Sequence, residues 1–228
     1  MVRLIPDDEL VGSSVVANNT MNRERGLSGV NSCARELGFD PAQWLLGRGG
    51  AAPAWLDLCS GEGRAMVEAA RRLPEGAVLT GVDLVGPLAP PPDADALPGL
   101  RLVTAALADW TPRRSYDLIT CVHGLHYLGD QLGVIAKAAS WLAPEGRFAA
   151  HFDPESVRWA GGASAGRAVV AALRGAGFEY RARRHLLVLE GGRSVHLPFA
   201  YAGADAEAGP TYTGQPAVAS HYRAPERT

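Results

Sequence analysis

The sequence predicts an α/β fold: a seven-stranded mixed sheet whose last strand is antiparallel, with helices on both faces and a helical N-terminal lid. Three observations predict it. From Ala54 onward, short apolar runs alternate with helical segments, as in a parallel sheet. The 228 residues suit one such domain with a short added element. Gly191 and Gly192 separate two final apolar runs, which is a hairpin signal.

The first fifty residues have a helical pattern. Residues 15–25 and 28–37 carry apolar side chains at helical spacing, and each segment is followed by glycine. Asp40 before Pro41 predicts the start of a further short helix, because aspartate caps helices and proline suits the first helical position. We therefore divide the chain into a lid and substrate cap over 1–50, a main domain over 51–203 and a loosely ordered tail over 204–228.

The main domain alternates strands and helices. Residues 86–99 are too rich in proline for a long helix and are expected to form a loop. The predicted helices are 61–73, 132–142 and 164–176. The predicted strands are 54–58, 77–82, 100–105, 116–122, 147–152, 180–189 and 194–200.

Composition narrows the function classes. A formal net charge of -2 gives no basic excess for nucleic acid, and no apolar run approaches the roughly 20 residues of a membrane span. Three separated cysteines suggest reduced thiols, so we expect a cytoplasmic protein, monomeric or homodimeric, whose partner is a small molecule. Lys137 is the single lysine, and abundant Ala, Gly, Pro and Arg indicate a GC-rich bacterial genome.

A glycine-rich turn joins the first predicted strand to the next helix. Its pattern is Asp57-Leu-Cys59-Ser-Gly61-Glu-Gly63. Glycine adopts positive φ and lets a ligand approach the backbone, and the helix start beyond it offers free N–H groups. The dinucleotide pattern G-x-G-x-x-G is met here only at Gly61, which disfavours a nicotinamide cofactor. Asp-x-Gly-x-Gly-x-Gly fits better, with Cys59 in place of the first glycine, provided that Cys59 keeps a negative φ.

This turn resembles motif I of the Rossmann-like class I methyltransferases that use S-adenosylmethionine (SAM), of the small-molecule type. Three further matches follow in order: Asp83-Leu84 ends the second strand, Ala108-Asp109-Trp110 follows the third, and Val122-His123 follows the fourth. The resemblance covers about residues 54–200. It implies that Asp83 accepts both ribose hydroxyls, that Asp109 and its neighbours hold adenine, and that residues near His123 line the methionine end. The predicted cofactor-binding residues are Arg25, Asp57, Cys59, Gly61, Gly63, Asp83, Leu84, Ala108, Asp109, Trp110, Val122 and His123.

Histidines are the candidate general bases. His123 and His126 follow the fourth strand and His151 ends the fifth, at the edge where open α/β sheets bind ligands. An imidazole pKa of about 6.5 suits proton transfer at neutral pH. The alternative is that the ring of His126 only packs and that His123 only lines the cofactor pocket. Tyr127, His151 and Asp153 are expected to contact substrate.

Four asparagines, the only ones in the chain, fall within residues 18–31. We expect Asn18, Asn22 and Asn31 to bind substrate, and Arg25 (or Arg23) to pair with the methionine carboxylate. The alternative is helix capping by the amides and solvated charges on the arginines.

No metal is expected, since Cys121, His123 and His126 have no fourth ligand spaced for zinc. The resulting hypothesis is an enzyme that moves a methyl group from SAM to O or N of a small molecule in bacterial secondary metabolism (natural-product biosynthesis), with S-adenosylhomocysteine (SAH) as product. The alternatives are a SAM-binding module without turnover and, with less support, a nicotinamide-dependent oxidoreductase.

Overall fold

A computed structural model describes residues 3–17, 23–49, 52–88 and 94–224 of the chain. Its helices are α1 (Asp7–Leu10), α2 (Ser14–Ala17), α3 (Cys33–Leu37), α4 (Pro41–Leu46), α5 (Arg64–Ala70), α6 (Gln131–Trp141) and α7 (Gly166–Gly175). Its strands are β1 (Ala54–Leu58), β2 (Val78–Asp83), β3 (Leu100–Thr104), β4 (Tyr116–Cys121), β5 (Leu142–His151), β6 (Val157–Trp159), β7 (Glu179–Arg181), β8 (Leu186–Glu190), β9 (Ala200–Asp205) and β10 (Ala219–Arg223).

Seven strands form the main sheet in the order β3-β2-β1-β4-β5-β8-β7. Strands β1 to β5 are parallel, and β8, the last of them along the chain, is antiparallel to both its neighbours. The predicted seven-stranded mixed sheet of an α/β fold is confirmed, and the N-terminal lid stays a prediction. The carboxyl ends of β1, β2, β4 and β5 therefore meet at one edge, where an α/β sheet binds its ligands.

The sheet is buried on both faces because alternate residues of each strand point to opposite sides. On one side, Leu56 and Phe148 pack with residues of α6 and α7. On the other side, Trp55 and Ala149 pack with residues of α3, α4 and α5. This explains why every residue of β1 is buried, instead of buried and exposed residues alternating along the strand.

The N-terminal helices are shorter than the pattern predicts. α2 ends at Ala17, and residues 23–25 are not helical, so the expected helix over 15–25 is wrong in its last part. The helix expected over 28–37 begins only at Cys33, because Ser32 caps it by accepting a hydrogen bond from the backbone of Arg35. The start of α4 is confirmed: Asp40 accepts hydrogen bonds from the backbone N–H groups of residues 42 and 43.

The end of the chain differs from the prediction. The expected strand over 180–189 is two strands, β7 and β8, separated by the 3-10 turn Ala182–Arg184. Residues 194–199 form no strand, so the hairpin through Gly191-Gly192 is wrong. β7 and β8 supply the closing antiparallel pair instead.

Residues expected to be a loose tail form part of a second sheet. Its order is β6-β10-β9, with β10 parallel to β6 and antiparallel to β9. Strand β9 crosses the boundary that we placed at Gly203, and Ile5 pairs with Ala204. The segment before α1 thus packs with the end of the chain. The division into lid, domain and tail stays a prediction.

Candidate active site

A cavity of about 290 Å³ opens at the carboxyl edge of the main sheet. Its floor comes from the residues that end or follow the parallel strands. Its cover includes Asp7 and Leu10 of α1 and Tyr201 of β9, whose hydroxyl donates to Asp7 Oδ1 at 2.6 Å. Eight of the residues predicted from the sequence line it: Cys59, Gly61, Asp83, Leu84, Ala108, Val122, His123 and Tyr127.

The glycine turn needs its glycines for two physical reasons. Gly61 has φ +60° and Gly63 has φ +74°, in the left-handed region that other residues avoid. A Cβ on Gly61 would lie 2.5 Å from the carbonyl oxygen of Arg23. The backbone N–H of Glu62 donates to that same oxygen at 2.8 Å. The segment at Arg23 therefore lies directly on the turn. Gly63 itself does not line the cavity.

Cys59 departs from the expected backbone conformation. Its φ is +58°, so the condition that it keep a negative φ is not met. The residue fits because Gly124 has no side chain: a Cβ there would collide with Cys59 and Cys121. A hydrogen bond to Cys121, together with burial, raises the pKa of the Cys59 thiol well above its usual value. The thiol stays protonated.

Asp83 is one of the acidic residues that line the cavity, and its carboxylate already accepts several hydrogen bonds. Oδ2 accepts from the backbone of Gly61 at 2.9 Å, and Oδ1 accepts from the backbone of Val85 at 3.1 Å. The Arg23 guanidinium forms a salt bridge to Oδ1 at 2.9 Å and another to Glu62 at 3.1 Å. It also donates to the carbonyl oxygen of Gly86. In this structure, Arg23 occupies the side of Asp83 where a ribose is expected.

Asp57 and Arg25 lie behind the cavity instead of on its surface. Trp55 Nε1 donates to Thr120 Oγ1 at 2.8 Å, and that hydroxyl donates to Asp57 Oδ1 at 2.6 Å. Burial raises the pKa of Asp57 to about 7. Arg25 is 9% exposed and donates to the carbonyl oxygen of Val122 at 3.0 Å. Both side chains support strands that end at the cavity.

A cluster of polar rings surrounds His123. Its Nε2 lies 3.0 Å from Glu36 Oε2, and its Nδ1 lies 3.0 Å from the hydroxyl of Tyr212. The ring of His151 stacks on it with centroids 4.0 Å apart and planes 17° apart. His185 stacks in turn on Tyr212, with centroids 3.8 Å apart. His123 belongs to this cluster and also lines the cavity, so it connects the two.

Within the described part of the chain, Glu36, His123 and His151 are a set whose potential metal-ligand atoms lie within 4.8 Å of one another. Two imidazoles that bind one ion direct their lone pairs to a common point. Stacked rings only 17° from parallel direct those lone pairs nearly side by side. The arrangement therefore favours a hydrogen-bonded stack over a metal centre.

Backbone strain concentrates around this edge of the sheet. Among the described residues, the non-glycine positions with positive φ are Cys59, His123 and His185. Cys59 and His123 line the cavity, and His185 supports Tyr212. Each such conformation costs about 1–2 kcal/mol, and such residues cluster at functional sites.

The buried histidines are neutral near pH 7. Burial lowers the pKa of His123, although the hydrogen bond that its Nε2 donates to Glu36 opposes this effect. Burial also lowers the pKa of His151 to about 2 and that of His126 to about 3, with the charge of His123 as the next cause for both. An unprotonated imidazole nitrogen is therefore present at neutral pH.

Other predicted residues do not line the cavity. Asp109 is exposed, and Trp110 packs edge-on against Trp141 with centroids 5.7 Å apart. The ring of His126, at the start of the 3-10 turn Leu125–Tyr127, packs against Tyr127 and is 1% exposed.

Two residues that the sequence predicts to contact substrate, Asp153 and Asn31, do not line the cavity. Asp153 caps the 3-10 turn Pro154–Ser156 and also accepts from the backbone of Tyr212. The side chain of Asn31 is exposed outside the cavity. Asn18 and Asn22 lie outside the described residues.

Glu36 and Tyr212 belong to the site but were not predicted. Glu36 lies in a helix whose charged residues would be expected to face solvent. Tyr212 lies in the segment that was predicted to be loosely ordered. Contacts between residues so far apart in sequence leave no local pattern. A glutamate beside the buried helix residues Cys33 and Leu37 was the one available signal.

A family model described as a methyltransferase domain matches residues 34–182. The chain belongs to this methyltransferase family. The methyltransferase has no match among curated proteins. In the described residues, no helix has both the length and the apolar character needed to cross a membrane.

Solved structures of methyltransferases resemble parts of this methyltransferase. CalS10, a SAM-bound amino pentose methyltransferase from Micromonospora echinaspora, is 24% identical with a TM-score of 0.37, over 49% of this chain and 48% of that one. Coclaurine N-methyltransferase, bound to N-methylheliamine and SAH, is 15% identical with a TM-score of 0.41, over 65% and 45%. An arsenic(III) SAM methyltransferase from Chlamydomonas reinhardtii is 23% identical with a TM-score of 0.36, over 43% and 38%. The methyltransferase spans about half the length of the first two.

Proposed function

We propose that this methyltransferase transfers the methyl group of SAM to an oxygen or nitrogen atom of a small molecule and releases SAH. The observation that carries the proposal is that one cavity joins the turn at Gly61, the carboxylate of Asp83 and the ring of His123. Four separate strands contribute to that edge, which is where ligands of α/β sheets bind.

We infer the orientation of the cofactor from the residues that line the cavity. The ribose hydroxyls donate to Asp83, where they displace Arg23, because Oδ1 already accepts two hydrogen bonds. The adenine lies towards Ala108, with Asp109 and Trp110 as rim residues. The sulfonium and the methionine lie towards Cys59, Val122 and His123, with Arg25 behind them. These assignments agree with the family resemblance of the motifs.

Methyl transfer from SAM requires little covalent catalysis by the protein. The methyl passes in line from a sulfonium to a nucleophile, and holding the reacting atoms about 3–3.5 Å apart supplies much of the acceleration. His123 is the best candidate base, because it alone of the three candidate histidines lines the cavity. His151 supports its ring by stacking, and His126 packs beneath.

We propose the biological setting of the enzyme from its amino-acid composition. An arginine-rich, alanine-rich chain with a single lysine is typical of a GC-rich bacterial genome. Such genomes are a common source of natural-product methyltransferases, and we propose that class of pathway for the substrate.

Transfer of a labelled methyl group tests the proposal. Purified protein is incubated with SAM labelled in the methyl group and a small-molecule extract of the producing organism. We expect labelled small molecules with the wild type and with H196A, an exposed histidine used as control. We expect a loss of at least about 100-fold with H123A. Tight SAH binding without any labelled product indicates a SAM-binding module instead.

A further inference from the structure

We infer that the methyl acceptor is an acidic hydroxyl, a phenol or an enol, which gives its proton to Nδ1 of His123 while Glu36 holds the ring. This inference rests on the proposed function and names the acceptor within it. It comes from the hydrogen-bonded chain Tyr212–His123–Glu36.

The partners of His123 fix which nitrogen carries the proton. An ionised carboxylate only accepts hydrogen bonds, so Nε2, 3.0 Å from Glu36 Oε2, must carry a hydrogen. In a neutral imidazole the other nitrogen is then an acceptor, and the Tyr212 hydroxyl donates to Nδ1 at 3.0 Å. The nitrogen that can accept a proton is therefore Nδ1.

Tyr212 shows what kind of group fits against that nitrogen. It is a phenol, and it already donates its O–H to the base. Its side chain is 38% exposed, on the segment between β9 and β10, and is held mainly by stacking on His185. We infer that a phenolic or enolic acceptor takes the position of this hydroxyl when Tyr212 swings away.

A hydroxyl acceptor needs such a base, whereas a free amine does not. An amine attacks with its lone pair and loses its proton afterwards to water, but a hydroxyl must lose its proton as the O–C bond forms. Burial lowers the pKa of His123, so in the free protein it is a weak base; a phenolate at Nδ1 and the Glu36 carboxylate at Nε2 together stabilise its protonated form. A phenol with a pKa of about 10 can transfer its proton to such a base far more readily than an alcohol can.

The acceptor O–H bond breaks and the proton goes to Nδ1. The oxygen electron pair forms the O–CH₃ bond, and the S–CH₃ pair stays on sulfur, which gives neutral SAH sulfur. The positive charge that leaves the sulfonium ends on the imidazolium, and Glu36 stabilises it. Glu36 is 31% exposed, so the proton can pass on to solvent.

Glu36 is a positioning residue in this account. Glu36 belongs to α3, which lies far from His123 in sequence. The atom Glu36 Oε2, which contacts His123, also lies 3.8 Å from Nε2 of His151. Replacing it by glutamine offers an amide that can present N–H to Nε2 and thereby favour the other tautomer. Nδ1 would then carry the hydrogen and lose its function as a base.

Binding of 4-nitrophenol to the SAH-saturated protein tests the inference, because the absorption of this phenol reports its ionisation. At the pH where the free probe is half ionised, we expect saturable binding and a larger ionised fraction when bound. E36Q and H123A should remove that excess ionisation, E36D should restore part of it, and E145Q, an exposed control, should keep it.

Y212F should tighten the binding of 4-nitrophenol by at least about threefold, because the competing phenol is gone. In competition, 4-methylphenol should displace the probe, and benzylamine and benzyl alcohol, which are similar in size, should not.

The inference is overturned if 4-nitrophenol does not bind saturably, if E36Q gives the same spectrum as E145Q, or if benzylamine displaces the probe as well as 4-methylphenol does. SAH binding is measured first on each sample. Failure of the wild type to bind SAH counts against the proposed function, whereas SAH binding without phenol binding counts against the acceptor class alone. Thermal unfolding confirms that each variant is folded.

Discussion

At the scale of single residues, the site depends on backbone conformations that most side chains avoid. Gly61 leaves room for the Arg23 segment, and Cys59 keeps its positive φ because Gly124 makes space for it. The strain at Cys59 and His123 has to be offset by packing elsewhere, and both residues face the cavity.

Replacing Gly61 by alanine separates conformational strain from steric clash. G61A should lower the free energy of unfolding by more than about 2 kcal/mol, because it adds strain at φ +60° and a contact of 2.5 Å with backbone. G49A is the matched control, with φ +71° and nothing within 4 Å, and should lose about 1 kcal/mol. Urea unfolding measures both. Equal losses would show that the Arg23 segment does not lie on the turn.

Sequence reasoning found the residues whose role is local and missed those whose role depends on the fold. Gly61, Asp83 and His123 each end or follow a strand, so pattern alone put them at one edge. Glu36 and Tyr212 meet at His123 from distant segments, and neither has a neighbouring motif. Asn31 was predicted to contact substrate because asparagine is rare in this sequence; its side chain is exposed and does not line the cavity, so its role stays a prediction.

At the scale of elements, the segment at Arg23 rests on the glycine turn and its guanidinium bridges Asp83 and Glu62. A ribose bound at Asp83, as we propose, would compete with this guanidinium for the carboxylate. Apparent affinity for the cofactor is then reduced in proportion to the fraction of molecules in which Arg23 is bound.

Removing the guanidinium should therefore strengthen cofactor binding. R23Q is expected to bind SAH at least about threefold more tightly, as measured by calorimetry. R64Q is the control, since Arg64 forms an exposed salt bridge to Glu24 at 3.3 Å and does not line the cavity. Weaker SAH binding by R23Q would mean that Arg23 holds the cofactor instead of competing with it.

Elements were predicted well where the core dictates them. β1 and the start of α4 match because apolar runs and an Asp-Pro cap act locally. The single strand predicted over 180–189 was wrong because a 3-10 turn divides it, and His185 there has φ +47°. The pairing of β10 with β6, which lies far before it in sequence, leaves no local pattern, so the second sheet could not be predicted.

At the scale of the whole molecule, buried histidines make stability depend on pH. Burial lowers the pKa of His126 to about 3, whereas an unfolded histidine has a pKa of about 6.5. As the pH falls, the unfolded chain therefore binds a proton at His126 that the folded chain does not bind. The stability from this group is complete above about pH 6.5 and is lost as the pH falls towards 3. Asp57 acts in the opposite direction, since its pKa is raised to about 7.

The variant H126Q isolates this contribution, because Asp57 and the other groups are common to both proteins. Between pH 7 and pH 5, the wild type should lose about 2 kcal/mol more stability than H126Q does. Urea unfolding at the two pH values measures the difference. H196Q, at an exposed histidine, should behave like the wild type. An equal pH dependence in wild type and H126Q would contradict a neutral, buried His126.

The most direct test of the central claim, a SAM-binding cavity built around Asp83, is a calorimetric titration of SAH into the wild type and D83N. We predict one site per chain in the wild type and binding weaker by about 10- to 100-fold in D83N, because a charged acceptor of two hydroxyls is lost. D205N, outside the cavity, should bind like the wild type. No saturable binding by the wild type, or equal affinity in D83N, would contradict the account.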